Sequence, residues 1–159
     1  MSKKIRQLSK KTGLSKIGWC LKQKKGIEIV EQNDTVAKAY FSDADESLLA
    51  MEKNSGKWRV VTAYYACYNA LYALLMKAGI KCEIHDCTIA TMMFLDFTLD
   101  EIKFMINLKN ARIDVQYYLK PAPVIDSVQV KRFVVDCRVK SRNFSEEKIK
   151  ELRGKVKNG

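Results

Sequence analysis

Proline and glycine are scarce in this sequence, with two prolines and seven glycines in 159 residues. Few backbone breakers means long uninterrupted elements. Histidine is scarcer still: His85 is the only one. Around it, Cys82-Glu83-Ile84-His85-Asp86-Cys87 holds metal-ligating residue types, but thiol–x4–thiol with one imidazole is not a zinc spacing. No metal and no cofactor is expected, and the ordinary role for His85 is to tie a helix start to its neighbours. There is no HExxH, no glycine-rich phosphate loop and no assignable Ser–His–Asp set.

A bilayer-spanning run is also missing. The most apolar stretch, Val60–Met76, falls short of the ~20 residues a membrane helix needs. It carries Tyr64, Tyr65, Tyr68 and Tyr72 through its middle, where membrane helices avoid tyrosine, and Asn69 is central. No membrane association is expected. The basic first residues are not followed by an apolar segment, so no secretory signal is read. Five cysteines form an odd set without a disulfide-framework spacing, and Cys67 reads as a reduced thiol packed as a small hydrophobe. A reducing cytoplasm is the expected compartment.

What is present is basic charge and helical periodicity. Of the net charge of +11, residues 1–33 carry +7, with nine Lys/Arg against Glu28 and Glu31. Such an arm suits phosphate backbones or an acidic partner, and equally a solvated tail. Leu14, Ile17, Trp19 and Leu21 offer one short helix there. From Asp34 to Lys53, Val36, Ala37, Tyr40, Phe41, Ala44, Leu48 and Met51 recur at three- and four-residue steps, an amphipathic helix. The central stretch 57–78 is apolar almost all round, so other elements must wrap it, and Gly79 suits a left-handed helix end. Further helices are expected over 84–94, from the capping box Thr98-Leu99-Asp100-Glu101 toward Arg112, over 125–143, and from Ser145 to about Val156. No strand alternation stands out. The economical arrangement is all-α, an antiparallel bundle of four main helices.

One polar cluster interrupts the apolar pattern: Asn110-Ala111-Arg112-Ile113-Asp114-Val115-Gln116-Tyr117-Tyr118. On a continuing helix, Arg112 and Gln116 share a face, and Asp114 neighbours Tyr117 and Tyr118. An arginine among tyrosines can bind phosphate bidentately and offer a stacking surface to a base. The competing reading is a structural arginine paired with a carboxylate elsewhere in the bundle.

The central "RVVTAYYACYNALYALLMKAGI" resembles the signature helix of HEPN-domain proteins. "EIHD" is similar to that family's histidine at the next helix start, and "LKNARIDVQYYL" to its arginine-containing segment. "SRNF" fits the end of the closing helix. The likeness covers roughly residues 34–153. It implies an up-and-down four-helix bundle over 34–157 with additional short helices at the termini, beyond a basic arm at 1–33. It further implies a homodimer of toxin–antitoxin or defence type, RNA as ligand, and a nucleotidyltransferase antitoxin as partner. Arg112 matches the family's catalytic arginine. The histidine that should follow after a spacer of four to six residues is missing, since Tyr117, Tyr118 and Leu119 stand in those positions. Tyrosine titrates near ~10 and makes a poor base at neutral pH. The expectation is RNA binding through Arg112, Tyr117, Tyr118 and Asp114, with metal-independent cleavage weak or lost. The alternative is a non-catalytic dimeric interaction module. His85 occupies a different place in the family pattern and is not assigned as the missing base.

Overall fold

The computed structural model describes residues 17–159. Among them the chain is mostly helical: α1 (Ile17–Lys22), α2 (Asp34–Lys53), α3 (Gly56–Lys77), α4 (His85–Ala90), α5 (Leu99–Tyr117), α6 (Ser127–Arg142) and α7 (Glu146–Lys157). A 3-10 turn over Thr91–Phe94 follows α4. The basic residues 1–16, and Leu14 of the expected first helix, lie outside the described residues.

α3 is the hub. It packs on α2, α5 and α6, and Leu71, Leu74 and Leu75 lose all solvent contact. Each such side chain contributes about 1.5–3 kcal/mol. α2 and α3 run antiparallel through the two-residue joint Asn54-Ser55, with Arg59 donating to the Met51 carbonyl at one end. At the other end Tyr40 meets Tyr72 edge-on and Lys77 pairs with Asp34. The last turns of α5 return to the start of α3, where Val115 packs with Val60 and Val61. No helix among the described residues is long and apolar enough to cross a membrane.

Two findings depart from the sequence reading. Residues Ile27–Ile29 (β1) and Ile80–Cys82 (β2) form a short antiparallel ribbon, with Ile27 opposite Cys82 and Ile29 opposite Ile80. Gly79 leads into it with φ 70°, and a Cβ there would stand 2.5 Å from the Val30 carbonyl oxygen. Glycine is required on both counts. The cysteines are corrected too. Cys20 on α1 and Cys87 on α4 are joined in a disulfide, while Cys67, Cys82 and Cys137 are free and buried. Their 67-residue separation gives no local spacing signal, and the pairing follows from packing α1 against α4.

Candidate functional site

The site is built where α5 passes α3 and α4. α5 starts cleanly: the Thr98 amide donates to Glu101 Oε2 (2.6 Å), and the Glu101 amide donates to Thr98 Oγ1 (3.2 Å). That reciprocal cap fixes the helix phase. Lys109, Arg112 and Gln116 then recur at three- and four-residue steps on one face. Lys109 forms an ion pair with Asp86 of α4, locking the two helices together.

Arg112 is 8% exposed. Its guanidinium carbon lies 4.9 Å from the ring centre of Tyr64, 5.8 Å from Tyr65 and 5.7 Å from Tyr117. Nη1 donates to Tyr65 Oη (3.5 Å) and Gln116 Oε1 (3.4 Å), both long. Nε is buried without an acceptor. Among the described residues no carboxylate pairs with Arg112, and residues 1–16 contain no Asp or Glu. Burying an unpaired guanidinium costs several kcal/mol. The ring faces offset part of that, about 0.5–2 kcal/mol each. The carboxylate partner of the structural reading is therefore missing, and a charge without a counter-ion attracts an anion.

His85 joins this cluster from α4. Tyr64 Oη lies 2.7 Å from His85 Nδ1, and the imidazole stacks on Tyr68 with ring centres 4.1 Å apart. Burial holds the His85 pKa below its usual value, with Arg112 and Lys109 adding to the effect against Asp86. The ring is neutral at neutral pH. Burial also pushes the Tyr64 hydroxyl far up, so it remains a phenol. Among the described residues its hydroxyl has no other partner, and a phenol satisfies its O–H there by donating to Nδ1, the arrangement that goes with the imidazole tautomer protonated on Nε2. Nε2–H is a donor, not a base. Behind it, Tyr68 Oη and Thr88 Oγ1 stand 3.3 Å apart, and Thr88 donates to the Cys82 carbonyl (3.2 Å), holding α4 to β2.

The other expected residues stand nearby but separately. Tyr117 is 65% exposed while its ring touches the guanidinium. Tyr118 is 68% exposed, and its cationic neighbour is Lys120, whose Nζ lies 5.9 Å from the ring centre. Asp114 pairs with Lys120 at 2.9 Å, beyond Arg112's contacts. The Lys120 amide returns to the Asp114 carbonyl, closing the helix end with Leu119 at φ 51°. The structure thus brings Gln116 and Tyr117 to Arg112 and leaves Tyr118 and Asp114 with Lys120. His85, Tyr64 and Tyr65 were outside the sequence reading of the site, and no spacing rule links them to α5. A cleft of about 500 Å³ lies along α5 beside the 118–126 segment, lined by Phe104, Leu108, Ala111, Val124 and Ile125, and includes neither Arg112 nor His85.

No protein-family model, curated protein or solved structure matches this chain.

Proposed function

We propose that this is a HEPN-like protein of toxin–antitoxin or defence type that binds RNA, with Arg112 as the phosphate anchor. One observation carries the reading: a nine-tenths buried guanidinium with an orphaned Nε and no carboxylate partner among the described residues. Three tyrosine rings line it, and rings beside a cation suit a sugar–phosphate chain carrying bases. The contacts of α3 with α2, α5 and α6 support the up-and-down four-helix reading.

Cleavage is weak or absent in this account. In-line attack by a 2′-hydroxyl benefits from a proton acceptor near neutral pKa. His85 is neutral but presents Nε2–H, and the positions at and just past the end of α5 where the family's histidine is expected hold tyrosine and leucine. Incubation of a mixed RNA pool with purified protein in EDTA tests this. Retention without new RNA ends is expected, and efficient cleavage lost in Arg112→Ala would overturn the non-cleaving assignment.

A second reading has its own observation. Val128, Val135 and Val139 lie exposed along α6, a surface that fits an interaction module or homodimer whose further partner is a nucleotidyltransferase. A monomer by light scattering at micromolar concentration would contradict the homodimer.

A further inference from the structure

The Cys20–Cys87 bridge joins two helices that are held very unequally without it. α4 has fastenings of its own: Asp86 pairs with Lys109, Thr88 Oγ1 donates to the Cys82 carbonyl (3.2 Å), and Ile89 and Ala90 are buried. α1 is six residues long and contains Gly18, and a helix that short does not hold itself. It packs on β1 and α4. Ile17 and Cys20 are its two buried side chains, Leu21 is half-buried, and Gly18, Trp19 and Lys22 face solvent. Half of the buried anchorage of α1 is therefore the bridge itself.

The joint behind α1 is tight. The Gln23 amide donates to the Cys20 carbonyl (3.4 Å) and the Gly26 amide to the Gln23 carbonyl (3.0 Å). A Cβ on Gly26 would stand 1.9 Å from the Cys20 carbonyl oxygen, and Lys25 holds φ 66°, a left-handed conformation that side chains disfavour. Beyond the turn the chain is fixed again: the Glu83 amide donates to the Lys25 carbonyl (3.0 Å), and β1 pairs with β2. Backbone strain thus sits between an anchored ribbon and the bridge, where α1 would swing away. Cys20 and Cys87 are 1% and 0% exposed, so a thiol reaches the bond through a local opening that lifts α1. Once the bond is cut, Lys25 can relax and that opening is favoured.

We propose that Cys20–Cys87 is a reversible redox latch, opened and closed by thiol–disulfide exchange with a small monothiol. A monothiol thiolate attacks Cys20 Sγ and forms a mixed disulfide as the Cys20–Cys87 bond breaks, and the departing Cys87 thiolate takes a proton. A second monothiol attacks the small-molecule sulfur of the mixed disulfide, releasing the oxidised monothiol dimer and the Cys20 thiolate, which is protonated in turn. Two electrons pass from the two monothiols to the bridge, and the reverse sequence with the oxidised dimer closes it. Residues 1–16, with six Lys/Arg and no Asp or Glu, continue from α1. In the oxidised chain the root of that basic segment is bound to the helix of His85; in the reduced chain it is held through β1. The latch does not depend on the RNA reading. The test incubates the full folded chain with reduced glutathione, removes the reductant, and follows iodoacetamide labelling of each cysteine by peptide mass spectrometry. Each rate is referred to that of the same thiol in urea. Cys20 should label at least about tenfold faster than Cys67 and Cys137, the buried free thiols that report on the core. Oxidised glutathione should restore the bridge and abolish Cys20 labelling. Cys87→Ser should label quickly at Cys20 with no reductant added. Glutathione that leaves the bridge intact in the folded chain would overturn the latch. Cys20 labelling as slow as Cys67 would mean that α1 stays docked and the bridge is a static staple. Cys67 and Cys137 labelling as fast as Cys20 would mean that the whole fold opens, which overturns a local release.

Discussion

Tyr64 works at both ends of the site. Its ring lies against the Arg112 guanidinium, and its hydroxyl fixes which nitrogen of His85 carries the proton. Burial, with the Arg112 and Lys109 charges, holds the His85 pKa down; on chemical grounds a bond accepted by Nδ1, which exists only when the imidazole is neutral, acts in the same direction. Tyr64→Phe keeps the ring and deletes the donor. The His85 titration midpoint should then rise toward the ordinary ~6.5, read from imidazole proton shifts across pH 4–8. A midpoint that falls would mean that the imidazole donates to the phenol instead. Arg112 was legible as a candidate because its neighbours on α5 are sequence neighbours. Its missing carboxylate was not legible, since an absence of partners exists only once every helix is placed.

At the scale of elements, α2 is the clearest case of sequence dictating structure. Its apolar residues keep helical period without interruption, and Asn33 caps it by accepting from the Val36 amide. The capping box at Thr98 was equally local and equally readable. The ribbon was not, because three-residue strands are too short to show alternation and their pairing partners lie far apart in sequence. The Cys20–Cys87 bridge belongs to the same class of long-range contact. It fastens α1 to the helix bearing His85 and closes a long loop. Loop-closure entropy puts its contribution at about 4 kcal/mol. The double variant Cys20→Ser with Cys87→Ser should lose about 2–4 kcal/mol in urea unfolding, and thiol titration of the denatured, unreduced protein should count three thiols. Five thiols would contradict the bridge.

For the whole molecule, charge and protonation set the conditions under which the site works. Burial depresses the His85 pKa in the folded state. The unfolded chain thus takes up a proton below ~6.5 that the folded chain refuses, and stability falls as pH drops through that range. Glu52, Glu83 and Asp96 have depressed pKa values through Lys131, Lys25 with Lys81, and Lys148 respectively. Their contribution is present above their unfolded pKa and lost as pH falls through the lower, folded values, below the window of His85. Thermal unfolding from pH 8 to 5 should show a decline that His85→Gln flattens. A decline unchanged in that variant would assign it elsewhere. The net +11 strengthens nonspecific attraction to any polyanion, so total charge cannot stand in for a site. All-α character followed from periodicity and the lack of breakers. The meeting of α3, α4 and α5 around one guanidinium is a property of the folded whole.

The account stands most directly on Arg112. Anisotropy titration of a short RNA single strand at ~0.15 M salt, with wild type, Arg112→Ala and Arg112→Lys, isolates it from the other 28 basic side chains. Arg112→Ala should weaken binding by a few-fold to tens-fold, because it removes the one buried cation among the described residues while leaving the surface charge in place. Lysine should restore only part, as it lacks the planar fork that grips phosphate. Superimposable isotherms for all three folded proteins would contradict the phosphate anchor and return Arg112 to a purely structural role.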